Sequence, residues 1–118
     1  MADDNCIFCK IARGELPSKK VYEDDEIFAF HDIRPHAPLH VLVIPKLHVA
    51  SLAECDISHQ AVLGKIMVLV PKLALEQGAT NGFRTIINTG RIGGQEVYHL
   101  HVHILSGPTA LPPMLRRD

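Results

Sequence analysis

The run Val97–Leu105, VYHLHVHIL, constrains the chain more than any other stretch. Histidine alternates here with aliphatic residues, and a strand sends successive side chains to opposite faces. The run therefore predicts a strand with His99, His101 and His103 on one face and Leu100, Val102 and Ile104 on the other. The apolar row can pack on a helix, while the imidazoles face a cleft or a second layer. A polar strand face that is merely rich in histidine is the plain alternative. At ~3.3 Å rise per residue, the backbones of His99 and His103 stand about 13 Å apart. One metal ion with nitrogen bonds of ~2.0 Å does not easily gather all three. The three histidines are thus expected to divide their roles. A neutral imidazole is nucleophilic near neutral pH, and a second can hand over a proton. That combination suits attack on phosphorus.

The rest of the chain reads as one α+β domain over residues 1–118. Ile7 to Arg13 (IFCKIAR) predicts a short helix that starts at Asn5 or Cys6 and ends at Gly14. Strands are expected at Lys20–Tyr22, Ile27–His31, His40–Pro45 and Phe83–Asn88. Turns fall at Asp24-Asp25, in the proline-rich Arg34–Pro38 and in Gly90–Gly94. From Ser58 to about Gln77, Val62, Ile66, Leu69, Leu73 and Leu75 mostly follow helical spacing, with Ser58 as a candidate cap and Gly78 as the stop. Pro71 inside this pattern predicts a kink or break. Residues 106–118, with Gly107, Pro108, Pro112 and Pro113, read as an irregular tail. Strands paired around one main helix imply an antiparallel sheet.

Composition narrows the partners. Twelve basic against thirteen acidic residues leave a net charge of -1, which removes the simplest case for nucleic-acid binding. No segment approaches the ~18 apolar residues of a membrane span. The acidic, polar Met1–Asn5 is the opposite of a secretory signal, so the cytoplasm is the expected compartment. Three cysteines are too few for a disulfide framework, and Cys6-x-x-Cys9 suggests a metal site or redox chemistry, or two unrelated buried thiols. Cys55 reads as incidental, His59 as a first-turn helix residue, and His31 and His36 as surface or loop positions.

The run His99–Leu105 also matches the His-φ-His-φ-His-φ-φ signature of the histidine triad (HIT) superfamily. IFCKIARGELP, FHDIRPHAPLHVLVIPKLH, Phe83–Asn88 and GGQEVYHLHVHIL follow in that family's order and cover nearly the whole chain. The sequence most resembles the Hint branch of phosphoramidases, and Gly94–Tyr98 resembles its bacterial members. The resemblance implies a HIT fold with one long and one short helix, and a sheet extended across a homodimer through the long helix and an adjoining strand. It implies cleavage of the P–N bond in purine nucleoside 5′-phosphoramidates, or of related acyl and aminoacyl adenylates. No cofactor is implied for that chemistry. A dinucleoside polyphosphate hydrolase and a nucleotide- or zinc-binding interaction protein with vestigial activity are the rival readings.

By the same resemblance, His101 attacks the phosphorus to form a nucleotidyl-histidine, His103 protonates the departing amine, and His40 lies beside them. His40 reads equally well as a core histidine. Asp32 would accept the ribose hydroxyls, which suits a carboxylate because it only accepts. Ile33, Phe8, Ile11, Phe30 and Leu42 would line the base pocket, although each also suits a core. Asn88 would lie near the phosphate, and the backbone of Gly93, Gly94, Gln95, Glu96 and Val97 would cradle it. Glu96 departs from the serine that many Hint relatives carry. It either turns away from the phosphate or meets a cationic amine. Some bacterial relatives share the Cys-x-x-Cys, and there a structural zinc is completed by two histidines, matched here by His48 and His99 beside Cys6 and Cys9. The tail Leu111–Leu115 either reaches a partner's site or hangs loose.

Overall fold

The structure, a computed structural model, describes residues 5–115. Of the expected tail, residues 116–118 lie outside the described residues. The elements run α1 (Ile7–Ala12), β1 (Lys20–Glu23), β2 (Ile27–His31), β3 (Leu39–Pro45), α2 (Gln60–Glu76), β4 (Arg84–Ile86) and β5 (Val102–Ser106). The strands form one antiparallel sheet in the order β1-β2-β3-β5-β4. This is the α+β HIT architecture with one long and one short helix.

Both faces of the sheet are covered, which explains why IFAF and VLVIP are continuously apolar rather than alternating. On one face Ile27, Ala29, Val41, Val43, Val102 and Ile104 pack against Ile66, Val70, Leu73 and Ala74 of α2. On the other, Phe28, Phe30, Leu42 and Ile44 pack against Phe8 of α1. Val102 and Ile104 thus lie on the helix side, as the alternation of the histidine run requires, and His103 faces the other way.

The histidine strand itself is shorter than its sequence suggests. Pairing stops at Val43 opposite Val102, and Val97 to His101 are bent or irregular. The physical reason is at the end of β3. Pro45 has no N–H to continue the ladder, and its carbonyl is taken by the His99 ring at 2.7 Å. The segment's backbone is satisfied elsewhere: Leu100 N–H donates to the Val49 carbonyl, and the Gln95 side chain reaches the Val97 carbonyl. The Phe83–Asn88 strand is likewise reduced to Arg84–Ile86.

Three expectations for the long helix are corrected. Ser58 does not cap α2; Asp56 caps a preceding 3-10 turn, Ile57–His59, by accepting from the Ser58 N–H, and α2 begins at Gln60. Pro71 does not break α2, because it and Met67 lie on the solvent face, where water can serve the carbonyl that proline leaves unpaired. Leu75 is 60% exposed, since the core face runs through Ile66, Val70, Leu73 and Ala74, one step away. Gly78, at φ 98°, ends the helix as expected. No helix among the described residues is long and apolar enough to cross a membrane.

Candidate functional site

His101 is buried, and its Nδ1–H donates to the His99 carbonyl at 2.8 Å. The second ring nitrogen, Nε2, therefore carries the lone pair. Phe8 packs edge-on against the His101 ring with centroids 5.1 Å apart, and this contact holds the imidazole from the side of α1.

A second chain of bonds sets the tautomer of His103. The proline-rich loop after β2 folds back so that the His36 backbone N–H donates to His40 Nδ1 at 3.0 Å. In its neutral form His40 must then carry its hydrogen on Nε2. That nitrogen lies 2.9 Å from His103 Nδ1, which accepts, and 3.5 Å from Asp32 Oδ2. His103 in turn carries its own hydrogen on Nε2, a buried atom with no hydrogen-bond partner among the described residues. Burial holds both rings neutral: it lowers the pKa of His40, and that of His103 falls to about 4. The His101 and His103 rings stand 5.0 Å apart. A lone pair and an N–H donor thus stand side by side, the equipment for nucleophilic attack with acid assistance.

These histidines open into a cavity of about 420 Å³. Asn88, Gly94 and Glu96 line it together with His40, His101 and His103. The sequence reading missed Arg84, Ile86 and Leu105, which also line it; the tail residues Leu111 to Met114, expected to reach a partner's site or to hang loose, line this chain's own cavity. Strand alternation in FRTIIN was the available signal, because it aligns Arg84 and Ile86 with Asn88. His36 acts through its backbone, so its residue type carried no signal.

The other expected nucleotide contacts are placed differently. Phe8, Phe30 and Leu42 are buried in the α1-side core, with Ile11 and Val97 packed against it, and none lines the cavity. Ile33 is 87% exposed. Asp32 sits beside His40, away from the cavity lining, with Oδ1 accepting from the Arg34 N–H. Gln95 is buried and its side chain is fully spent. It accepts from Gly90 N–H at 2.9 Å and donates to the carbonyls of Ala50 and Val97 at 2.6 and 3.0 Å. Its part is to hold the glycine loop, not to touch a ligand.

A separate cluster of cysteine and histidine atoms forms next to His101. Cys6 Sγ, Cys9 Sγ, His48 Nδ1 and His99 Nδ1 all lie within 4.8 Å of one another. Cys6 and Cys9 lie 3.3 and 3.5 Å from His99 Nδ1, Cys9 lies 3.6 Å from His48 Nδ1, and the two imidazole nitrogens are 3.2 Å apart. A tetrahedral ion with bonds of ~2.3 Å to sulfur and ~2.0 Å to nitrogen requires edges of roughly 3.3 to 3.8 Å. The four distances given lie in or within about 0.1 Å of that range, and the other two pairs lie within 4.8 Å. His99 Nε2–H donates to the Pro45 carbonyl, which leaves Nδ1 as its lone-pair atom, the outer-shell arrangement expected of a ligating histidine. Cys6 caps α1, and the Cys9 N–H donates to its sulfur at 3.4 Å.

Comparison with known proteins agrees with this geometry. The HIT domain family matches residues 13–110. "Protein HitA" of Neisseria gonorrhoeae is 58% identical over 105 residues, covering 89% of this chain and 98% of that protein. The "purine nucleoside phosphoramidase" of Escherichia coli K12 is 46% identical over 116 residues, covering 98% and 96%. A solved histidine triad protein from Clostridium difficile is 50% identical and superposes with a TM-score of 0.92, covering 98% of this chain and 100% of its own. The fold and these relatives define a hydrolase of the histidine triad class. The chain belongs to the HIT family.

Proposed function

We propose that this HIT-family hydrolase cleaves the P–N bond of purine nucleoside 5′-phosphoramidates through a nucleotidyl-histidine on His101. The carrying observation is the pair of fixed tautomers: His101 Nε2 holds a lone pair while His103 Nε2 holds a hydrogen beside it. His101 attacks phosphorus in line with the departing nitrogen. An anionic phosphate next to His103 raises that ring's proton affinity over the empty site. His103 takes up one proton from solvent as the substrate binds, with the His40 Nε2–H then facing Asp32 Oδ2 3.5 Å away; it gives a proton to the amine as the P–N bond breaks and returns to neutral. Water displaces His101 from phosphorus in the second step, with His103 now taking the water's proton, and the nucleoside monophosphate leaves. Asp32, beside His40, receives the ribose hydroxyls, and the exposed Ile33 next to it is available to cover the base. The name of the Escherichia coli relative supports this substrate class over dinucleoside polyphosphates.

Zinc is proposed at Cys6, Cys9, His48 and His99, on the strength of the interatomic distances given above. Its work there is structural: it would pin α1, and with it Phe8, against the sheet. A homodimer is proposed through α2 and β4. Exposed Met67, Val68 and Leu75 on α2 and the outer edge of β4, unpaired among the described residues, support it.

The test is release of amine from an adenosine 5′-phosphoramidate by the wild type and by His101→Ala at equal concentration. Turnover in the wild type that vanishes in a folded His101→Ala supports the reading. Equal, negligible rates in both overturn it.

A further inference from the structure

The cavity in front of the histidines has a direction. On β4, Ile86 lies opposite His103 and Arg84 opposite Leu105. Along one face the order is therefore His101, His103 with Ile86, then Leu105 with Arg84. In-line displacement places the leaving nitrogen on the far side of phosphorus from His101 Nε2, where His103 protonates it. Beyond His103 the cavity continues between Leu105, Arg84 and the tail residues Leu111 and Met114. With His103 as its proton donor, the body of the departing amine is assigned to this end of the cavity.

Arg84 is the odd member of that wall. It is half-buried among aliphatic residues, and its guanidinium has no hydrogen bond or ion pair among the described residues. Holding a charge there without a partner is unfavourable, and the planar fork of arginine matches a carboxylate through two parallel bonds. The substrate phosphate is the other anion to consider. It is held at His101 and His103, and Arg84 stands diagonal to His103, about 7–8 Å away across the strands. Glu96 also lines the cavity, but it is exposed, so solvent screens its charge more than that of Arg84.

We propose, on the basis of the phosphoramidase reading, that Arg84 is a specificity residue selecting leaving amines that carry a carboxylate. The favoured substrates are nucleotide conjugates of amino-acid-like amines with a free acid group and an aliphatic stem. Ile86, Leu105 and Leu111 receive the stem.

The experiment compares two adenosine 5′-phosphoramidates, one of 6-aminohexanoic acid and one of its neutral amide. For the wild type, kcat/KM is expected to be about 10-fold higher for the acid, the size of one charge-assisted contact. That ratio should shrink as salt is raised. In Arg84→Met, which keeps the stem but not the charge, the ratio should fall to near one. In Arg84→Lys it should be intermediate. A wild-type ratio of one, or a ratio in Arg84→Met that matches the wild type while both rates drop together, overturns the selection by Arg84. Absence of amine release from either conjugate by the wild type overturns the phosphoramidase reading itself, and the selection with it.

Discussion

The backbone carbonyl of His99 accepts the Nδ1 hydrogen of His101 at 2.8 Å, while the His99 side chain points into the cysteine–histidine cluster. One residue thus faces two sites. Its ring belongs to the set that can hold a metal, and its carbonyl fixes the tautomer of His101. The first and second histidines of the triad are joined through backbone and do not need to share a ligand. This is why the spacing that prevents all three from gathering one ion is compatible with a functional site.

The tautomer chain predicts a large effect from a residue that does not touch phosphorus. His40→Phe keeps a ring in the buried position but removes the donor to His103 Nδ1. His103 is then free to place its hydrogen on Nδ1, and its Nε2–H is lost for part of the population. The expected result is a kcat lowered by about 10² with the circular dichroism spectrum retained, a typical scale for impaired acid–base assistance. Rates within twofold of the wild type would show that the His40–His103 bond is not needed.

A second prediction concerns the cysteine pair. If zinc occupies the four-atom cluster, purified protein should contain about one zinc per chain by elemental analysis, and Cys9→Ser should lose it. Chelation of the wild type should lower Tm, since an ion that binds only the folded state stabilises it. Protein that carries no zinc after growth in zinc-replete medium, and whose Tm does not respond to added zinc, would exclude a metal role. The thiols would then be a packed cluster and nothing more.

Much of this fold was readable from residue patterns because both faces of β2 and β3 are buried. Continuous runs such as IFAF and VLVIP could only be buried strands, and β2 falls where the pattern places it. The errors came from backbone hydrogen bonding, which residue type encodes weakly. The histidine run looks like one strand from Val97, yet Pro45 on the neighbouring strand ends the ladder early, and Gln95 draws the preceding loop aside. The grouping of Cys6, Cys9, His48 and His99, and that of His40, His101 and His103, was identifiable from residue types and family spacing. The parts of His36 and Gln95 were not, because one acts through its amide and the other through bonds to loop backbone.

Helix α2 offers a test of the corrected core. Leu73 is fully buried against the sheet, whereas Leu75, which sequence spacing assigned to the same row, lies on the surface. Leu73→Ala should destabilise the protein by about 2–5 kcal/mol, as buried leucine truncations do. Leu75→Ala should change stability by only about 0.5 kcal/mol in a monomer. Urea midpoints for the two variants measure the difference. Similar losses in both would mean that Leu75 is covered in solution, as in the proposed α2 interface, and dilution would then separate the two cases.

Acid should weaken the fold through its buried histidines. Burial, with His101 and His40 nearby, outweighs the opposing effect of Asp32 and brings the pKa of His103 to about 4; His36 acts with the two histidines. His40 is lowered in the same direction, also mainly by burial. In the unfolded chain both titrate near 6.5. Between those values the unfolded state binds protons that the folded state refuses, so stability is full above about pH 6.5 and declines towards pH 4. Asp24, Glu23 and Asp56 have lowered values, so their contribution is lost only at more acid pH. Tm measured at pH 7.5 and at pH 5 should therefore fall in the wild type, and the fall should be smaller in His103→Gln, which has nothing to protonate there. An equal fall in both proteins would assign the acid sensitivity to other groups.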